Sequence, residues 1–214
     1  MPAPEIRLLT RAEPHETFLE IGRLHAEEIK GGFLASLGIG WLARLYEAIG
    51  RSPHAFTLVA TVDGSIIGFL CGSADTRRVY RHVLTRDAVA LLPGLLGRLA
   101  SWRTVKRCWE TLRYPSRAPV LDLPSAEILN FCVAGRVQRL GVGRLLFRAM
   151  EAEFARRGVR SLRIVTGASQ LSAIRFYESL GAEPAGNVEV HAQVQSRLFR
   201  YSIPDRDPES AAAR

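Results

Sequence analysis

The segment that most constrains this chain is Gln138-Arg139-Leu140-Gly141-Val142-Gly143, set between a strand-like run and a long amphipathic helix. The run is Ala126–Ala134. The helix spans Val142–Arg157, with Leu146, Met150 and Phe154 on one face and Gly158 as its C-cap. The first backbone N–H groups of a helix lack intrahelical acceptors and lie at the positive end of its dipole. Glycines at 141 and 143 let an anion approach that backbone, and Arg139 and Arg144 add positive charge. The pattern predicts a phosphate or pyrophosphate site. It is not the Walker loop, because G-x-x-x-x-G-K-[ST] is absent. Nor is it the dinucleotide fingerprint, because Leu146 stands where the third glycine belongs.

The rest of the chain places this turn in a mixed fold. Glu5–Thr10 reads as a strand. A helix follows from Pro14, with Phe18, Ile21, Leu24 and Ile29 at near-helical spacing, until Gly31-Gly32 breaks it. Trp41, Leu42, Leu45, Tyr46 and Ile49 mark a second helix. Asp63-Gly64 joins the apolar runs Phe56–Val62 and Ile66–Cys71 as a hairpin. Residues from about 76 to 124 read as a helical insertion, closed by Pro115, Pro119 and Pro124. Beyond the turn and its helix come a strand at Leu162–Thr166, a helix at Ser172–Leu180, and strands at Val188–Val194 and Leu198–Ile203. This alternation predicts an α/β sheet with helices on both faces. Residues 1–204 are expected to form a single domain, with 205–214 as a flexible tail.

Composition narrows the function classes. An apolar share of 47% and a charged share of 23% in 214 residues suit a soluble globular chain that needs no disulfide staple. Cys71, Cys108 and Cys132 are far apart and have no C-x-x-C spacing, and the five histidines lack ligand spacing, so no metal is expected. No signal peptide or apolar run of spanning length is seen, and a cytoplasmic location is expected. The net charge of +8 admits a nucleic-acid or anionic-membrane partner, with Trp102–Tyr114 as the basic aromatic stretch that would serve it. The basic side is nearly all arginine, however, with lysine only at Lys30 and Lys106. That bias reads as GC-rich codon usage, and nucleic acid is disfavoured as a partner.

A second motif, Gln170-Leu171-Ser172-Ala173-Ile174-Arg175-Phe176-Tyr177-Glu178-Ser179-Leu180-Gly181, follows the first at one helix and one strand. Together the two resemble the GNAT superfamily, the Gcn5-related N-acetyltransferases. Their phosphate motif is Q/R-x-x-G-x-G/A, and their second motif sets an aromatic–tyrosine pair before a glycine. The close resemblance covers about 126–184. It implies a GNAT fold: a mixed, mostly antiparallel sheet with the helical insertion before the central strand. It also implies acetyl-CoA as cosubstrate and an amine of a small molecule or peptide as acceptor. A homodimer is left open.

Residue by residue, the resemblance puts the pyrophosphate on the amides from Gln138 through Arg139, Leu140, Gly141, Val142 and Gly143 to Arg144. It puts the pantetheine arm against Phe131, Cys132 and Val133, with Gln170, Ala173 and Phe176 beside it. Tyr177 corresponds to the general acid that protonates the leaving thiolate; the alternative is a packed core tyrosine. Glu127 corresponds to a general base, the alternative being a solvated strand-end carboxylate. A base is needed because an alkylammonium, with a pKa near about 10.4, has no lone pair to attack a thioester. His25, Phe33 and Leu34 fall where the acceptor site is shaped. Three departures stand out: Gln170 for asparagine, Gly135 for proline and Val137 for an aromatic. Cys132 lacks a histidine partner in sequence and reads as a structural thiol. The expected activity is N-acyl transfer by direct attack in a ternary complex. The alternatives are a coenzyme A-binding regulator without turnover and the nucleic-acid or membrane binder.

Overall fold

The computed structural model describes residues 2–29, 34–91, 123–191 and 194–204. Its elements in chain order are β1 (Glu5–Leu8), α1 (His15–Glu28), a 3-10 turn (Ala35–Leu37), α2 (Ile39–Arg51), β2 (Ala55–Val62), β3 (Ser65–Ser73) and α3 (Thr76–Arg86). After the undescribed stretch come β4 (Glu127–Val133), a 3-10 turn (Gly135–Val137), α4 (Val142–Arg156), β5 (Ser161–Gly167), α5 (Leu171–Ser179), β6 (Glu183–His191) and β7 (Val194–Ser202). The strands form one seven-stranded sheet in the order β1-β2-β3-β4-β5-β7-β6. Every neighbouring pair is antiparallel except β4 and β5.

Local chemistry explains the elements. Asp63 and Gly64 both take positive φ, 49° and 77°, as the tight turn between β2 and β3 requires. The Asp75 side chain accepts the Arg78 amide at 3.0 Å and caps α3. Successive residues of β3 face opposite layers. Phe69 meets Tyr46 of α2 edge-on, with ring centroids 5.2 Å apart. A Cβ at its neighbour Gly68 would lie 3.1 Å from Leu146 of α4, so the glycine lets α4 approach closely. The α1–α2 pair therefore covers one face of the sheet, and α4 the other with Leu146, Phe147, Met150 and Phe154 fully buried. Burying each such side chain contributes about 1.5–3 kcal/mol.

The last two strands begin earlier than expected: the one expected at Val188–Val194 is Glu183–His191, and the one expected at Leu198–Ile203 is Val194–Ser202. β6 begins at Glu183, five residues before the apolar run at Val188 that marked it, because Pro184 and Gly186 pair with Phe199 and Leu198 across an irregular register. The expected insertion opens with the regular helix α3, and the part from 92 to 122 lies outside the described residues, as do Phe33, Trp102–Tyr114 and the tail from 205.

Candidate active site

β4 and β5 pair in parallel only at Glu127↔Arg163 and Ile128↔Ile164. Beyond Ile128 they part, and β5 continues along β7 alone. The β3–β4 register slips at the same point, from Gly72↔Ile128 to Cys71↔Asn130, leaving Leu129 as the extra residue of a bulge. The Ala134 amide donates to the Ile67 carbonyl at 2.9 Å. Antiparallel alternation then keeps Cys132 and Asn130 in the ladder with β3 and turns the backbone groups of Phe131 and Val133 toward the gap.

A cleft of about 540 Å3 fills this gap. One wall is Ile128 through Val133; the other includes Val165, Thr166, Gln170, Ala173 and Tyr177, with Glu28 and Gln138 completing the lining. Of the residues expected to hold the cofactor, the structure brings Phe131, Cys132, Val133, Gln138, Gln170 and Ala173 to this cleft, together with Tyr177. Gln138 Nε2 donates to the Val133 carbonyl at 2.9 Å and so ties the turn to β4.

Past Gln138 the chain makes the turn that opens α4. Arg139 and Gly141 adopt positive φ, 64° and 89°. Gly141 is the N-cap, and the first intrahelical bond runs from the Leu145 amide to its carbonyl at 3.1 Å. The amides of Val142, Gly143 and Arg144 therefore have no intrahelical acceptor. Arg139, Leu140, Gly141 and Arg144 are exposed, so the helix tip is open. Phe176 packs over Gly143, whose added Cβ would lie 3.5 Å from the ring, and meets Phe131 edge-on at 5.7 Å. The cleft thus brings an open strand edge and Tyr177 together, and Gln138 at its margin leads into the turn that opens α4, whose residues 139–144 are not on its lining.

Tyr177 is buried, and desolvation holds its phenol well above the ordinary value of 10.0, so it keeps its proton. Gln170 turns inward: its Oε1 accepts from Thr166 Oγ1 at 2.7 Å and from the Gly167 amide at 3.3 Å. The glutamine-for-asparagine departure therefore falls on a residue that closes the β5–α5 corner.

Other expected residues lie elsewhere. Glu127 Oε2 accepts from Arg163 Nη2 and Nε at 2.6 and 2.9 Å and from Thr76 Oγ1 at 3.0 Å. That buried ion pair ties α3 and β5 to β4, and Glu127 is not on the cleft wall. Leu34 packs against the core beside the 3-10 turn, also off the wall. His25 is placed in the core rather than at an acceptor pocket, 2% exposed, with Nδ1 2.5 Å from the Tyr46 hydroxyl. Its spacing four residues after Ile21 puts it on the buried face of α1.

Burial pushes the His25 imidazole from 6.5 down to about 4. As pH falls, the unfolded chain takes up this proton first. The stability tied to His25 is intact above pH 6.5 and is lost, by about 3 kcal/mol in all, as pH falls toward 4. Thermal unfolding across that window should show a smaller fall in Tm for His25→Gln than for the wild type.

Sequence reasoning did not single out Glu28. It closes α1 at the cleft, and its partner, the Gly135 amide, is more than a hundred residues away in sequence. Among the described residues there is no cluster of three or more His, Cys, Asp or Glu side chains able to hold a metal ion, and no helix long and apolar enough to cross a membrane.

The sequence profile described as the acetyltransferase (GNAT) family matches residues 26–182. No curated protein matches the sequence. Among solved structures, a GNAT-family protein of Desulfovibrio desulfuricans is similar with a TM-score of 0.61 at 15% identity, over 94% of this chain and 100% of that one. The ribosomal-protein-S18-alanine N-acetyltransferase of Escherichia coli is similar with a TM-score of 0.57 at 14% identity, over 95% and 97%. The yncA protein of Salmonella typhimurium, solved with its cofactor acetyl-CoA, is similar with a TM-score of 0.58 at 15% identity, over 96% and 97%. These likenesses establish a shared fold; the profile match across most of the sequence establishes kinship, and the chain belongs to the acetyltransferase (GNAT) family.

Proposed function

We propose that this protein is an N-acyltransferase that moves an acetyl or similar acyl group from acyl-CoA to a primary amine of a small molecule or peptide. The observation that carries the reading is the continuity of the site. A single cleft holds Tyr177 and the open edge of β4, and Gln138 on its lining leads into the turn whose Gly141 N-cap leaves the first α4 amides without a side-chain cap. Two relatives in fold point the same way: one is an alanine N-acetyltransferase, the other was solved with acetyl-CoA.

In this reading the amides of Val142, Gly143 and Arg144 hold the pyrophosphate, and the backbone of Phe131 and Val133 pairs with the arm as an added strand would. Tyr177 donates its proton to the departing sulfur. Both substrates sit in the cleft together, and positioning supplies much of the rate. Free amine attacks, so turnover should rise with pH toward the acceptor's own pKa.

Cys132 lines the same cleft, which raises a covalent route. Burial pushes its thiol up to about 12, and its Sγ leans on the Leu24 carbonyl at 3.7 Å. A thiol so protonated is a poor nucleophile at neutral pH. Cys132→Ala should retain kcat within about threefold, and mass spectrometry after mixing with acetyl-CoA should find no acylated protein.

The reading is tested by screening primary amines with acetyl-CoA for free thiol release, with mass analysis of the products. N-acylated product supports it. Tight acetyl-CoA binding without turnover of any amine would instead identify a coenzyme A-binding regulator.

A further inference from the structure

Glu28 is the one carboxylate on the cleft lining among the described residues, and it shares that lining with Cys132, Gln138 and Tyr177. Its Oε1 accepts the Gly135 amide at 2.7 Å. The carboxylate lies flat against that glycine: a Cβ added there would sit 3.4 and 3.5 Å from its two oxygens. One oxygen is thus fixed by a backbone donor at the end of β4, which leaves the second to meet a ligand. Among the described residues, no arginine, lysine or histidine is on the cleft lining to compete for it. Glu127, the other acidic candidate, is held by Arg163 and Thr76.

We propose that Glu28 is the acceptor-binding carboxylate, selecting a cationic primary amine by accepting hydrogen bonds from its ammonium on Oε2 while Gly135 pins Oε1. This rests on the acyltransferase reading and gives it an acceptor class. A charged hydrogen bond of this kind draws the amine into the cleft that Tyr177 also lines and favours cationic over neutral acceptors; the bound ammonium gives one proton to solvent before its nitrogen attacks as free amine. Gly135 becomes a positioning residue. Its N–H is what matters, and proline at 135 would remove it, whereas alanine keeps it and meets the carboxylate at ordinary contact distance.

The test uses the full chain, acetyl-CoA and a panel of phenethylamine, spermidine and a free-N-terminal alanyl tetrapeptide. For the best of these, Glu28→Gln, which keeps shape and the Gly135 bond but loses the charge, should raise the amine KM about 10- to 100-fold. The acetyl-CoA dissociation constant should stay within about twofold of wild type. Gly135→Pro should raise the amine KM in the same direction, and Gly135→Ala should not. An unchanged amine KM in Glu28→Gln, with active wild type, overturns this inference and spares the acyltransferase reading. An equal loss of acetyl-CoA binding also overturns it, because Glu28 would then be shaping the cofactor cleft. Wild type that turns over none of the panel, nor any other primary amine, removes both.

Discussion

Replacing Tyr177 with phenylalanine should lower kcat about 10²- to 10³-fold while leaving acetyl-CoA binding within about twofold. The ring is part of the core: it meets Phe176 at 5.6 Å and Phe199 at 6.3 Å, and phenylalanine keeps both contacts. What is lost is one hydroxyl of a residue that lines the cleft. Burial keeps that hydroxyl protonated well past neutral pH, as the proposed proton donor requires. A departing thiolate without a donor must leave with its full charge unneutralised, which raises the barrier to C–S cleavage. Steady-state kinetics with a thiol reporter, together with calorimetry, separates the two quantities. Equal losses in kcat and cofactor affinity would show Tyr177 to be a packing residue.

Gly141→Val should weaken acetyl-CoA binding about 10- to 100-fold and lower Tm by about 2–8 °C. An added Cβ at Gly141 would meet no atom within 4 Å, so crowding is not the cause. The cause is φ of 89°, a conformation that costs an L-residue about 1–2 kcal/mol and a β-branched one more. The chain relieves that strain by rotating the peptide, which re-aims the donors at the α4 tip. Gly143 provides the contrast. It is outside the left-handed region, and its Cβ would rest at 3.5 Å on Phe176, so alanine there should fit the fold and cost less affinity. Calorimetric titration of the two variants side by side reads the difference. Equal affinity of Gly141→Val and wild type would place the phosphates elsewhere.

Much of this was legible in the sequence because it depends on neighbours in the chain. The glycine turn, the period of α4, the Asp63-Gly64 hairpin and the Phe176-Tyr177 pair on α5 are local patterns, and the structure has the corresponding elements within a few residues. The order of helices and strands followed from the same signals. What the sequence hid depends on partners distant in the chain. Glu127 looks like a strand-end carboxylate until the parallel register sets Arg163 opposite it. His25 looks like a helix-borne polar residue until α2 brings Tyr46 to its ring. Glu28 gave no signal, because only the packing of α1 against the end of β4 brings it to Gly135. The start of β6 was obscured by Pro184 and Gly186, which the edge position of that strand tolerates.

In the proposed reaction the uncapped amides at the start of α4 hold the cofactor's pyrophosphate while its thioester end reaches Tyr177. Amide chemical shifts recorded with acetyl-CoA and with acetyl-pantetheine, which lacks the phosphates, test it directly. The Gly141, Val142, Gly143 and Arg144 amides should move with acetyl-CoA but not with acetyl-pantetheine, and Phe131 and Val133 should move with both. Unmoved amides at 141–144 under saturating acetyl-CoA would contradict it.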